Sequence, residues 1–140
     1  MDTTYLLPYS KIGVATDLFS MMEERGMPIE DVGISSVSLF ELQAKAAKLG
    51  VPAEYVADAI DAISSEFRTE QIHNLKIIEI AASLLKWLND YVDCLVLATA
   101  VALKEDLVTE DSKIHDLSDR IGKEYGIRVL SCKEFLERTA

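Results

Sequence analysis

The stretch YVDCLVLATAVALKEDLVTED, residues 91–111, decides the fold. Between Asp93 and Lys104 lie ten residues, Cys94 to Leu103, of which only Thr99 is polar. Such a run predicts a helix buried on every side. It is also shorter than the ~20 residues a bilayer span requires, so no membrane segment is expected. Two features of the stretch need a reason: the buried helix opens on an aspartate, and the short apolar strand Leu107-Val108-Thr109 runs straight into Glu110-Asp111.

Outward from this stretch, apolar spacing marks further elements. Ile12, Ala15, Leu18, Phe19 and Met22 form a helical stripe that ends near Gly26-Met27-Pro28. Val32 to Ser36 reads as a short strand, and Leu39, Leu42, Ala46 and Leu49 as a helix closed by Gly50. A third stripe, Val56, Ala59, Ile60, Ile63 and Phe67, carries Glu54, Asp58, Asp61 and Glu66 on its other face, which reads as a solvated side. A weak strand is expected around Gln71 to His73, then a long helix on Ile77, Ile78, Ala81, Leu84, Leu85 and Leu88. Beyond Asp111 the pattern predicts a helix over 112–124, a strand over 127–130, and a final helix started by a Ser131/Glu134 capping box. Short strands separated by helices imply an α/β fold, a parallel sheet with helices on both faces. Ligands of such sheets bind at the carboxyl ends of the strands.

The 140 residues are read as a single domain, 1–140. Met1-Asp2-Thr3-Thr4 is not the basic start of a signal peptide, so a cytoplasmic location is expected. Cys94 and Cys132 have no CxxC or Cys/His spacing around them and read as packing residues rather than zinc ligands. The formal charge of −10, from 24 acids against 14 bases, opposes non-specific binding to phosphate backbones. His73 and His115 have no spacing-matched nucleophile, and no phosphate-binding glycine loop is present.

Four acids stand at the places where chemistry is expected: Asp2, Glu41, Asp93 and Asp111. Converging, they would repel one another, and two divalent cations would offset that repulsion. Paired metals about 3.5–4 Å apart activate water and stabilise a leaving oxygen in phosphodiester hydrolysis. Each acid also has a plainer reading. Glu41, placed in the first turn of its helix, completes an S-x-x-E capping box with Ser38; Asp93 complements a helix dipole; Asp111 caps the helix from Ser112; Asp2 is a solvated terminal residue.

Taken as an ordered set, the four segments resemble a PIN-domain nuclease of the VapC toxin type. They are Asp2-Thr3-Thr4-Tyr5-Leu6-Leu7, then Ile34-Ser35-Ser36-Val37-Ser38-Leu39-Phe40-Glu41-Leu42, then Asp93-Cys94-Leu95-Val96-Leu97-Ala98-Thr99-Ala100, then Leu107-Val108-Thr109-Glu110-Asp111. The resemblance implies a three-layer α/β/α fold with a short-stranded, mostly parallel sheet. It implies a Mg²⁺- or Mn²⁺-dependent ribonuclease holding one or two ions, often a homodimer and often held inactive by an antitoxin protein. Asp2, Glu41, Asp93 and Asp111 would be the metal carboxylates, with Thr109 and Ser112 as hydroxyls supporting them. The family usually carries several apolar residues before its first aspartate, whereas only Met1 precedes Asp2, so the first strand is nearly absent or the native start lies upstream. Neutralising the four acids would still leave the chain at −6, so the RNA is expected to be structured and specific, or gripped by a local basic patch such as Lys45 and Lys48. The alternative is a PIN-like module of weak activity that acts by binding protein or RNA. Asp2-Thr3-Thr4 supplies neither the acid pair of a response receiver nor the D-x-D-x-T of a dehalogenase-like phosphatase.

Overall fold

Among residues 18–28 and 32–138, which the computed structural model describes, eight helices and four short strands follow one another along the chain. The described residues up to Glu70 form one unit and those from Gln71 onward a second. Both are built from helices and parallel strand pairs, the α/β class expected. No helix among the described residues is long and apolar enough to cross a membrane.

In the N-terminal unit, α1 (Leu18–Glu24) buries Leu18, Phe19 and Met22, the expected stripe. The earlier members of that stripe, Ile12 and Ala15, lie outside the described residues, as does Asp2. Strand β1 (Gly33–Ser35) leads directly into α2 (Ser36–Lys48). Gly50 stops α2 as expected: at φ +73° its N–H donates to Ala47 O at 3.2 Å while Val51 N–H reaches Ala46 O at 3.0 Å. That pair of bonds is the Schellman closure, which satisfies carbonyls the helix end leaves open. Helix α3 (Ala53–Glu66) buries Val56, Ala59 and Ile63, and its four acids are exposed, a solvated face.

Strand β2 is Arg68–Glu70, not the expected Gln71 to His73. Arg68-Thr69-Glu70 has no apolar alternation to mark it. It becomes a strand because β1 lies beside it in parallel register, Ile34 opposite Thr69, and because Arg68 N–H donates to Val32 O at 3.2 Å. Phe67 anchors the entry to the strand, its ring 4.9 Å from that of Phe19 and tilted by 55°.

In the C-terminal unit, α4 (Leu75–Leu84) is capped by Asn74, whose Oδ1 accepts the N–H groups of Lys76 and Ile77. It ends before Leu85 and Leu88, so the helix is shorter than the stripe implied. It packs along α5 (Tyr91–Leu103), the helix of the opening stretch. Every residue of α5 from Cys94 to Val101 is buried, as its sequence demanded. The one polar side chain inside, Thr99, donates its hydroxyl to Leu95 O at 2.7 Å, so no polar atom there lacks a partner. Cys94 and Cys132 are buried free thiols, and burial, then the charges of Asp93 and Asp90, push the Cys94 thiol up. That is a packing role, not a reactive one.

Strands β3 (Leu107–Val108) and β4 (Val129–Leu130) pair in parallel, Leu107 beside Val129 and Val108 beside Leu130. The helix expected over 112–124 is two, α6 (Ser112–Asp116) and α7 (Ser118–Tyr125). They break at Leu117, whose N–H closes an i→i−3 bond to Ile114 O at 3.0 Å and turns the chain. Helix α8 (Cys132–Arg138) starts on the expected capping box: Glu134 N–H donates to Ser131 Oγ and Ser131 N–H to Glu134 Oε1, both at 3.1 Å.

Carboxylates lengthen the β3–β4 ladder at both ends. Arg128 N–H donates to Asp106 Oδ1 at 2.9 Å, and Cys132 N–H to Glu110 Oε1 at 2.8 Å. Arg128 also places Nε and Nη2 on Asp106 Oδ2 at 3.0 and 2.7 Å. Burial alone would raise the Asp106 carboxyl, but the hydrogen bonds and charge of Arg128 outweigh it and hold it below the ordinary value. A carboxyl depressed on folding stabilises the fold above its unfolded-state value, roughly pH 4 for Asp. That contribution is lost as pH falls through the lower folded-state value. Because the Arg128 side chain is 60% exposed, Asp106→Asn is expected to cost less than about 1 kcal/mol at neutral pH. It should also flatten the acid limb of a urea-stability profile, which denaturation at a series of pH values measures.

Candidate functional site

Two of the four predicted acids open onto one cleft of the C-terminal unit. Its volume is about 540 Å³, and Asp93 and Asp111 line it together with Asp90, Asp116, Lys113 and Trp87. Each acid arrives by a different local rule.

Asp93 is the third residue of α5 and half-buried. It is not the helix cap, because Asp90 takes that position and accepts Val92 N–H on Oδ1 at 2.9 Å. Asp93 is thereby left in the first turn, where a negative charge meets the positive end of the helix dipole. The buried residues that follow it, Cys94 onward, fix the helix that carries it. Asp90 as cap was legible in principle, since Asn89-Asp90 ahead of an apolar run is a helix-start signal.

Asp111 is delivered by β3 through Thr109. Thr109 is fully buried, and its Oγ1 accepts the Asp111 N–H at 3.1 Å, so the hydroxyl holds the Asp111 backbone. The Thr109 carbonyl is held as well, 2.6 Å from His115 Nε2. A carbonyl can only accept, so Nε2 carries the proton in this bond, and His115 acts as a structural tie. The plainer reading of Asp111 also holds: its Oδ1 accepts Lys113 N–H at 2.9 Å and Ile114 N–H at 3.1 Å, capping α6. Capping and lining the cleft are compatible, because the cap uses Oδ1 alone and a carboxylate has a second oxygen. Ser112, the first residue of α6, also lines the cleft.

Glu41 belongs to the N-terminal unit, half-buried in the second turn of α2 rather than the first. The capping box with Ser38 does not form. Ser35 is the N-cap, accepting Val37 N–H at 3.3 Å, so Ser38 sits inside the helix with its buried Oγ unpartnered. Lys45 and Lys48 stand exposed in the last turn of α2, complementing the negative end of the helix. Asp2 lies outside the described residues.

Asp93 and Asp111 are hard oxygen donors, the ligand type that Mg²⁺ and Mn²⁺ select. Mg²⁺ is commonly held by one or two carboxylates with water and substrate phosphate completing its shell, and two carboxylates on an open cleft fit that requirement. Among the described residues no group of three or more His, Cys, Asp or Glu side chains is arranged to hold a metal ion.

The family model described as PIN domain matches residues 14–120. A comparison with curated proteins gives no match.

The double duty of Asp111 separates two substitutions. Asn caps a helix about as well as Asp, whereas Ala loses the cap at about 1 kcal/mol. Asp111→Ala is therefore expected to lower stability by about that amount relative to Asp111→Asn. Urea denaturation of the two variants measures it, and equal stabilities would mean the cap contributes nothing.

Proposed function

This chain belongs to the PIN-domain family, whose members are generally metal-dependent nucleases acting on RNA, and from that premise we propose that it is an endoribonuclease hydrolysing RNA phosphodiester bonds with Mg²⁺ or Mn²⁺. The observation that carries the reading is the meeting of Asp93 and Asp111 on one cleft. They are two of the four acids that the resemblance assigns to the metal, and they come from positions eighteen residues apart. Glu41 and Asp2 are assigned the same role on the family pattern alone. The toxin of a VapC-type toxin–antitoxin pair, a homodimer held inactive by its antitoxin, is the biological setting we propose. The matched stretch includes residues of both units, which supports one PIN domain over 1–140.

When bound, a divalent ion supplies Lewis-acid stabilisation of phosphoryl charge and a water of lowered pKa. The residues supply placement. Asp93 is held by a helix that cannot shift without exposing apolar surface, and Asp111 by the Thr109 hydroxyl and the bonds of its own cap. Rigid placement of carboxylates is what a metal constellation needs. Thr109 acts on Asp111 through its backbone, and Ser112 borders the same cleft.

A PIN-like module that binds without cutting is the second reading. It is favoured by the formal charge of −10, which opposes admission of a polyanionic substrate.

Calorimetric titration with Mn²⁺ is expected to show binding to the wild-type chain. It should weaken by more than about 100-fold in Asp93→Asn, Asp111→Asn, a larger loss than removal of a supporting residue causes. Circular dichroism should show both proteins folded, since Asn preserves the α6 cap. Asp93→Asn alone should abolish cleavage of RNA. Equal Mn²⁺ affinity in the two proteins would move the metal elsewhere. Loss of Mn²⁺ binding by the double variant, with RNA bound but uncut by wild type, would leave the binding module.

A further inference from the structure

Beside the acidic cleft the C-terminal unit gathers two cations over one aromatic ring. Lys86 Nζ lies 4.5 Å from the centroid of the Trp87 ring, and the Arg120 guanidinium carbon lies 5.0 Å from it. Lys86 and Trp87 are neighbours just after α4, whereas Arg120 comes from α7, so folding brings the second cation to the ring. Trp87 is also a wall of the cleft that holds Asp93 and Asp111. Both cations are exposed, and neither is ion-paired with a carboxylate among the described residues.

Two like charges drawn to one ring repel each other, and the ring quadrupole only partly offsets this. An anion placed between or above them would complete the arrangement. In a chain with 24 acids to 14 bases, two cations that share one ring without a carboxylate between them are not what composition would produce by default. The cleft itself repels the polyanion that a nuclease must admit. An attractive point at its rim therefore answers a physical need of the site.

We infer that Lys86 and Arg120, held in place by Trp87, grip the phosphate backbone of single-stranded RNA next to the acidic cleft. The inference rests on the nuclease reading for its substrate class. Lys86 and Arg120 are the phosphate contacts, and Trp87 is a positioning residue that keeps the two cations at the rim. The ring is already covered by cations, so recognition here is of backbone charge and not of base identity. The grip is sequence-independent.

The test uses the full chain carrying Asp93→Asn, in Mg²⁺, with a fluorescein-labelled random-sequence single-stranded RNA at low salt. Anisotropy reads binding, and a gel of the same samples reads cutting. Trp87 is the single tryptophan of the chain, so its fluorescence should change as RNA is added. Each phosphate contact to a single strand contributes about 0.7 to the slope of log K against log salt, so Lys86→Gln, Arg120→Gln should lower that slope by about 1.4. Trp87→Ala removes no charge, yet it should lower the slope toward the double variant's, while Trp87→Phe should keep most of it. A tryptophan that merely packs would leave the slope alone once circular dichroism shows the variants folded. Unchanged affinity and slope in Lys86→Gln, Arg120→Gln would overturn the inference, as would failure of the parent to bind at low salt. RNA cut by the Asp93→Asn parent would instead count against the catalytic assignment, whatever the anisotropy shows.

Discussion

The structure of the C-terminal unit depends on one constraint: α5 has no face that tolerates water. Its eight consecutive buried residues, Cys94 to Val101, wrap more than two turns, so burial is required in every direction. Exposing one of its leucines or valines costs about 1.5–3 kcal/mol, a large share of a domain's net stability. The helix therefore cannot slide or roll, and its polar start is fixed by the same requirement. Asp90 and Asp93 lie where the burial begins, the first satisfying the helix end and the second facing the cleft. The aspartate at the head of an apolar run is thus held by the core without being part of it.

The strand that brings Asp111 to the same cleft works by different means. Two residues per strand bury little, and the backbone ladder of β3 and β4 is correspondingly short. Local polar bonds supply the definition instead: the Thr109 hydroxyl on the Asp111 N–H, His115 on the Thr109 carbonyl, and the Asp111 cap of α6. One carboxylate is placed by packing and the other by hydrogen bonds. Trp87, which lines the same cleft, carries Lys86 and Arg120 over its ring.

How much of this was legible in the sequence follows from the range of the signals. Features set by neighbours in the chain could be read directly: the buried helix, the stop at Gly50, the Ser131/Glu134 box and the Asp111 cap. Features set by a choice among equivalent neighbours could not. Ser35, Ser36 and Ser38 are all competent caps, and only the extended backbone at Ser35, φ −82° and ψ 141°, selects it over Ser38. Features set by distant partners were the least legible. Arg68-Thr69-Glu70 is a strand only because β1 lies beside it, and the split at Leu117 has no glycine or proline to announce it. Arg120 meets the Lys86-Trp87 pair across more than thirty residues of chain, with no spacing rule to link them.

The carboxylates that prolong the β3–β4 ladder bear on how reliably the chain finds its register. A side chain in a strand alternates faces with each residue, so a slip of one position would invert the whole strand. Backbone groups alone repeat identically and offer a two-residue strand no means to tell the correct alignment from its neighbours. Asp106 and Glu110 break that degeneracy. They clamp the pairing from both ends, on Arg128 and Cys132, and a strand displaced by one residue would present them to the wrong partners. In the correct alignment Thr109 points inward and Asp111 reaches the cleft; in the slipped one neither would. The two acids act as keys in a lock, converting an ambiguous pairing into a unique one.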